Sequence, residues 1–160
     1  MQLTDIQKSI LSDDTRFVVL VAGRRFSKTF IAINSLAKHA RHPGKKCMYV
    51  APTYRMARQI AWEDCKSMLR ERNWIKKINE SNLEITLVNG SMIMMRSADN
   101  KDSIRGIGLD YVVIDEAADI PGLQETWQAV IRPTLSDREG DAMIIGTPKG
   151  KGFLLFFFFF

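Results

Sequence analysis

Residues 18–33 read VVLVAGRRFSKTFIAI, and no other stretch limits the fold of this chain so tightly. A valine-rich run of strand type passes through a short loop into Ser27-Lys28-Thr29, and a helical pattern follows at once. Loops that cradle phosphates on backbone N–H groups read G-x-x-x-x-G-K-[ST] between a strand and a helix. Here Ala22 stands at the first glycine position and Ser27 at the second, with Gly23, Arg24, Arg25 and Phe26 between them. The stretch is either a phosphate loop with altered glycines or a chance Lys-Thr after a strand. On the first reading, residues 22–29 bind nucleotide. Gly23 supplies flexibility, Lys28 the charge for the β- and γ-phosphates, and Thr29 the hydroxyl for Mg2+. If position 27 requires a positive φ, a serine there is strained by roughly 1–2 kcal/mol.

The rest of the chain repeats the alternation of short apolar strands and helices. Thr4 is placed to cap a helix, TDIQKSILS. Phe17–Ala22, Cys47–Ala51, Tyr111–Ile114 and Ala142–Gly146 have the continuous apolar pattern of buried strands. Residues 28–40, 54–72 and 123–131 read as helices, the last ending before Pro133. Two strand-like runs, 83–88 and 91–96, flank Asn89-Gly90, a strong hairpin signal. This order predicts an α/β domain with a mainly parallel sheet between helices, carrying a β-hairpin as edge decoration. Ligands of such sheets bind beyond the carboxyl ends of the strands. Those ends carry AGRRFSKT, APTY, DEAAD and GTPKG.

The stretch LDYVVIDEAAD delivers Asp115 and Glu116 at the end of an apolar strand. Asp115 is expected to hold Mg2+, directly or through water, and Glu116 to orient and deprotonate an attacking water. A lone Asp-Glu after a strand is also an ordinary helix start. A strand–loop–Lys-Thr–helix followed by a strand–Asp-Glu in one α/β domain is a specific pair, and it points to nucleoside-triphosphate binding.

Composition is that of a globular domain, with 46% hydrophobic and 26% charged residues among 160. No apolar run reaches the roughly 18 residues needed to span a bilayer. The N-terminus lacks a secretory pattern, and Cys47 and Cys65 have no metal-ligand spacing, so free thiols in a reducing compartment are expected. His39 and His42, beside the HPGKK break, read as surface residues. Charge is uneven: residues 24–77 hold 14 Lys/Arg against 3 Asp/Glu, and residues 78–145 hold 5 against 12. The basic half suits phosphates of a nucleotide or of a nucleic acid, or is simply a solvated face.

An ordered set of motifs carries a resemblance: LTDIQ, AGRRFSKT, APTYRMARQI, SIRGIGLDYVVIDEAAD, WQAVIRPTLSD and GTPKGKG. From about Leu3 to Phe153 the chain resembles the N-terminal ATPase domain of the large terminase subunit of tailed bacteriophages, a DNA-packaging motor. The resemblance implies a P-loop NTPase fold of the ASCE/RecA-like kind and ATP hydrolysis with Mg2+. It also implies double-stranded DNA, a portal and procapsid, and a small terminase subunit as partners. A homo-oligomeric ring in the host-cell cytoplasm, with no membrane, completes that picture.

By the same resemblance Gln7 matches an adenine-contacting glutamine and Arg24 an arginine of ATP sensing and coupling. Arg105 matches a finger acting on the neighbouring subunit, and Gly146-Thr147-Pro148 a coupling motif. Plainer readings stand beside these. Gln7 is otherwise a surface helix residue, Arg105 a partner of Asp102 or Asp110, and Thr147 a turn residue. For Arg25, phosphate binding, an acidic partner and solvation all stay open.

Two departures from the family matter. Most members carry glycine where this chain has Ser27. Full large subunits also continue into a lid and a metal-dependent nuclease domain, which are not expected here, so no DNA cleavage is expected of this chain. The ATPase domain is expected to span 1–154, incomplete at its C-terminal end. Residues 155–160, with the run Phe156–Phe160, are expected to be a non-native tail. The rival functions are a P-loop helicase or translocase, and a fragment that binds nucleotide or DNA without catalysis. Against the helicase, this chain has Gly-Thr-Pro where that superfamily usually shows Ser-Ala-Thr.

Overall fold

The computed structural model describes residues 2–149. The expected end of the domain at residue 154 and the tail 155–160 lie outside the described residues.

Seven strands form one sheet: β1 (Phe17–Val21), β2 (Lys46–Ala51), β3 (Ile75–Asn79), β4 (Glu84–Leu87), β5 (Met92–Ser97), β6 (Tyr111–Ile114) and β7 (Asp141–Gly146). Their order is β1-β7-β6-β2-β5-β4-β3. Strands β1, β7, β6, β2 and β5 run parallel, and β4 and β3 extend the sheet antiparallel. The Asn-Gly hairpin therefore does more than decorate an edge. Its second arm, β5, pairs parallel with β2 from Lys46↔Met92 to Ala51↔Ser97. Gly90 takes the positive φ of 84° that the tight turn needs, and Asn89 Nδ2 donates to the carbonyls of Ala40 and Arg41, closing the end of the helix over residues 28–40.

The helices are α1 (Asp5–Ser12), α2 (Lys28–Ala40), α3 over residues 54–71 and α4 over residues 123–136. Thr4 caps α1 in a reciprocal box with Gln7. Both α3 and α4 widen into π-helical turns, at Ala57–Trp62 and Trp127–Ile131. α4 runs through Pro133 to Ser136 instead of stopping before it. The π-type turns lie immediately ahead of the proline, which then occupies the first turn of the last α-helical segment, where its missing N–H is not needed.

Period-2 alternation splits the core into two layers. Cys47, Tyr49, Tyr111, Val113, Met143 and Ile145 face α2 and α3 and pack with Ile31, Leu36, Trp62 and Leu69. Met48, Val50, Val112, Ile114 and Ile144 face α4 and pack with Trp127, Val130 and Leu135. Full burial of one such aliphatic side chain contributes about 1.5–3 kcal/mol, so the strands' near-continuous apolar runs are explained by burial on both faces. β3 escapes sequence reading because IKKIN does not alternate cleanly. It has a register shift between Ile75 and Lys77, and its exposed Lys76 and Lys77 suit an edge strand.

Both cysteines are free and buried. His42 is exposed as expected, and His39 is half-buried. Its ring stacks on Tyr111 with centroids 3.5 Å apart, and burial lowers its pKa. No helix among the described residues is long and apolar enough to cross a membrane.

Candidate active site

Parallel pairing sends the C-terminal ends of β1, β7, β6 and β2 to one edge of the sheet, and the predicted residues gather there. The loop after β1 is held to β7 by Ala22 N–H donating to Gly146 O at 3.2 Å. Gly23 is extended, and Arg24–Phe26 make one 3₁₀ turn closed by Phe26 N–H to Gly23 O at 3.2 Å. Phe26 packs against the α2/α3 layer, which anchors the turn. Arg24 and Arg25 are exposed at its rim.

Ser27 sits at φ 55°, ψ 45°, the left-handed conformation that glycine adopts freely and serine only under strain. It precedes α2 without giving a side-chain cap, so the first-turn N–H groups of that helix are left to another acceptor. Lys28 is 6% exposed, and its ammonium donates to Ala22 O at 3.1 Å and Gly23 O at 3.0 Å. A helix N-terminus, a curled loop and a lysine converge here as an anion cradle.

The second half of the site comes from β6. Asp115, 1% exposed, accepts from Thr29 Oγ1 at 3.5 Å and from Tyr49 Oη at 2.7 Å on Oδ2, and from Glu116 N–H at 2.8 Å on Oδ1. Burial raises its pKa against these hydrogen bonds. Glu116, half-buried at φ 47°, is also raised, first by burial and then by the charge of Asp115. A carboxylate moved toward neutral pH in this way is better suited to accept a proton. The left-handed backbone at both Ser27 and Glu116 is the kind of strain that a surrounding fold imposes at functional sites.

The oxygen pair Thr29 Oγ1 and Asp115 Oδ2, 3.5 Å apart, is a hard donor set of the type that takes Mg2+ beside substrate phosphates. The residues present therefore fit the cation that the sequence suggests.

Gln7 is buried, not a surface residue. Its side-chain oxygen accepts from Thr4 N–H, and its amide donates to Phe26 O at 3.3 Å, so α1 is tied to the loop. Gly146, Thr147 and Pro148 leave β7 beside that loop, and Lys149 pairs with Asp119 at 2.7 Å in the turn that follows Glu116. Arg105 does not join this group. It is exposed, pairs with Asp102 at 3.2 Å, and lines a cleft of about 190 Å³ against Val130, Pro133 and Asp137 of the α4 side. Asp110, its other possible partner, is taken by Lys45 at 3.3 Å and Arg138 at 2.8 Å.

Sequence reading does not single out Tyr49, which touches Asp115 directly. The available signal is alternation across the pair β2–β6. Tyr49 pairs with Val113, and Asp115 lies two residues on, on the same face.

The sheet order, the phosphate-type loop and the strand-end acids define an α/β domain of the P-loop NTPase fold. The family described as "Terminase large subunit, T4likevirus-type, N-terminal" matches residues 19–155, and the chain belongs to it. The large terminase subunit of Escherichia phage T5 is 33% identical over 138 residues, which is 84% of this chain and 31% of that protein. The chain thus spans about a third of the length of that relative. The large terminase ATPase domain of Thermus phage P74-26 superposes with a TM-score of 0.80 at 29% identity, covering 99% of this chain and 69% of that one. The large terminase of a thermophilic bacteriophage, in complex with ATP-gamma-S, shares the fold at a TM-score of 0.75 and 18% identity, covering 93% of this chain and 39% of that one.

Proposed function

We propose that this chain is the ATP-hydrolysing motor domain of a viral large terminase subunit, which drives double-stranded DNA into a procapsid. The observation that carries the reading is the meeting of Thr29 and Asp115 behind the Lys28 cradle. Family membership supports it, as does the ATP-gamma-S complex of the thermophilic-phage protein that shares the fold.

In the reaction, ATP and water give ADP and phosphate. Lys28 exchanges its loop carbonyls for oxygens of the β- and γ-phosphates, and the first-turn N–H groups of α2 take the others. Thr29 and Asp115 would hold Mg2+, which would supply positive charge to offset that building on the phosphate oxygens. Glu116 orients the water and accepts its proton as the terminal phosphorus–oxygen bond breaks. Gln7 contacts the adenine, while Arg24, exposed at the loop, senses the nucleotide. Arg105 is supplied to the site of a neighbouring subunit in a ring. Gly146-Thr147-Pro148 carries the change onward from β7. Portal and procapsid, the small subunit and a host-cytoplasmic setting follow from the same reading.

Phosphate release and equilibrium nucleotide binding test it together. The chain is expected to bind ATP and release phosphate slowly, and Lys28→Ala to lose at least about tenfold in affinity, the loss of one charge-assisted contact. Wild-type affinity in Lys28→Ala overturns the cradle. Binding with no release at all marks a passive nucleotide-binding fragment.

Ser27→Gly is expected to bind nucleotide as well as the parent or better. Glycine relieves the left-handed strain at φ 55°, and Ser27 gives no cap that would be lost. A titration with a fluorescent ATP analogue checks this. A large loss of affinity would show that the serine hydroxyl itself is needed.

A further inference from the structure

The acid at the centre of the site is held by a phenol from a neighbouring strand. Tyr49 lies within β2 and is fully buried. Its ring belongs to the apolar layer under α2 and α3, where phenylalanine would fill the same space. The hydroxyl is the part that a core position does not require. A buried hydroxyl is costly unless it is hydrogen-bonded, and this one donates at 2.7 Å to Asp115 Oδ2. A short O–H donor to a carboxylate is among the stronger and more directional hydrogen bonds.

The carboxylate's other contacts show what the phenol adds. Glu116 N–H holds Oδ1 at 2.8 Å, while Thr29 Oγ1 approaches Oδ2 at only 3.5 Å. One well-formed bond on each oxygen fixes the plane of the carboxylate. Without the phenol, the long Thr29 contact would be the only one left on Oδ2, and the group could turn about its Cβ–Cγ bond. The register permits the pairing, since Tyr49 lies opposite Val113 and Asp115, two residues on, shares that face.

We propose that Tyr49 is a positioning residue for the metal-binding half of the site. Its hydroxyl locks Asp115 with Oδ2 beside Thr29 Oγ1, so that the two oxygens form a ready-made pair for a divalent cation. Tyr49 acts through Asp115 and touches neither cation nor nucleotide. The inference rests on the reading of Thr29 and Asp115 as the cation holders.

The test uses Mn2+ as the probe, followed by electron paramagnetic resonance with the full chain at saturating ADP. Tyr49→Phe, Asp115→Asn and the parent are compared. Removing the partner that orients a metal-binding carboxylate typically lowers metal affinity by 10–100-fold, and a loss of about tenfold is expected for Tyr49→Phe. ADP affinity in the presence of EDTA should stay within about twofold of the parent, because the Lys28 cradle is untouched. Asp115→Asn should lose at least as much Mn2+ affinity.

Parent-like Mn2+ affinity in Tyr49→Phe, with Asp115→Asn impaired, overturns the proposal and leaves the phenol as a core group. Parent-like affinity in Asp115→Asn overturns instead the reading on which the proposal rests. An equal fall of ADP affinity in EDTA would show that the hydroxyl supports the whole site, not the carboxylate, and would likewise overturn it.

Discussion

Glu116→Gln is expected to bind ATP as the parent does and to lose at least about 10²-fold in turnover. The amide has the size of the carboxylate but cannot take a proton, and a positioned general base contributes typically 10²–10⁴-fold. Two features favour Glu116 over Asp115 as the proposed base. Asp115 has its oxygens engaged by Tyr49, by Thr29 and by the N–H of Glu116 itself. Glu116 is half-buried at the strand end, and burial together with the charge of Asp115 moves its pKa upward. Single-turnover phosphate release set against equilibrium ATP binding checks the expectation. Unchanged turnover would remove Glu116 from the role.

Arg105→Ala is expected to leave ATP affinity and melting temperature nearly unchanged and to abolish turnover by assembled rings, a loss of about 10³–10⁵-fold for an arginine finger. Its ion pair with Asp102 is exposed on both sides, and such pairs contribute little to stability. It lines a cleft against α4 and not the phosphate loop, which suits the proposed action across a subunit boundary. Mixing distinguishes this from a role within the chain. An Arg105→Ala subunit retains Glu116, and a Glu116→Gln subunit retains Arg105, so co-assembled rings contain sites with both groups and should regain activity. Inactive mixed rings, together with loss of affinity or stability in Arg105→Ala alone, would make the arginine a structural partner within its own chain.

Much of the fold is legible because local and global signals agree. Helix 28–40 has its apolar residues at helical spacing and begins at the loop that a phosphate site requires. Thr4 and Gln7 form the capping box that their spacing suggests. Tyr111–Ile114 is four apolar residues, all buried. The unread parts depend on neighbours that no local pattern encodes. β3 becomes a strand because β4 offers it an edge, against its own irregular alternation. α4 crosses Pro133 because the turns ahead of it are wider than α-helical. Gln7, whose plainer reading is a surface helix residue, and His39, expected at the surface, are each drawn inward by a partner distant in sequence, the carbonyl of Phe26 for one and the ring of Tyr111 for the other. At the site, the loop and the acids are readable as types, but Tyr49 is hidden, since a tyrosine in an apolar strand looks like any other aromatic filler.

The phosphate loop hangs from β1, the outermost strand of the sheet among the described residues, and β1 has one neighbour, β7. The ladder from Phe17↔Ala142 to Val21↔Gly146 ends in the bond from Ala22 N–H to Gly146 O. The cradle and the exit of β7 are therefore consecutive rungs of one structure. Thermodynamic reciprocity then applies between them: whatever occupancy of the loop does to the free energy of displacing residues 146–148, displacing those residues does in equal measure to occupancy. On the proposed reading, a mechanical load carried on the exit of β7 would be a competitor or an ally of the ligand, and the strand would act as a force gauge read by the binding loop.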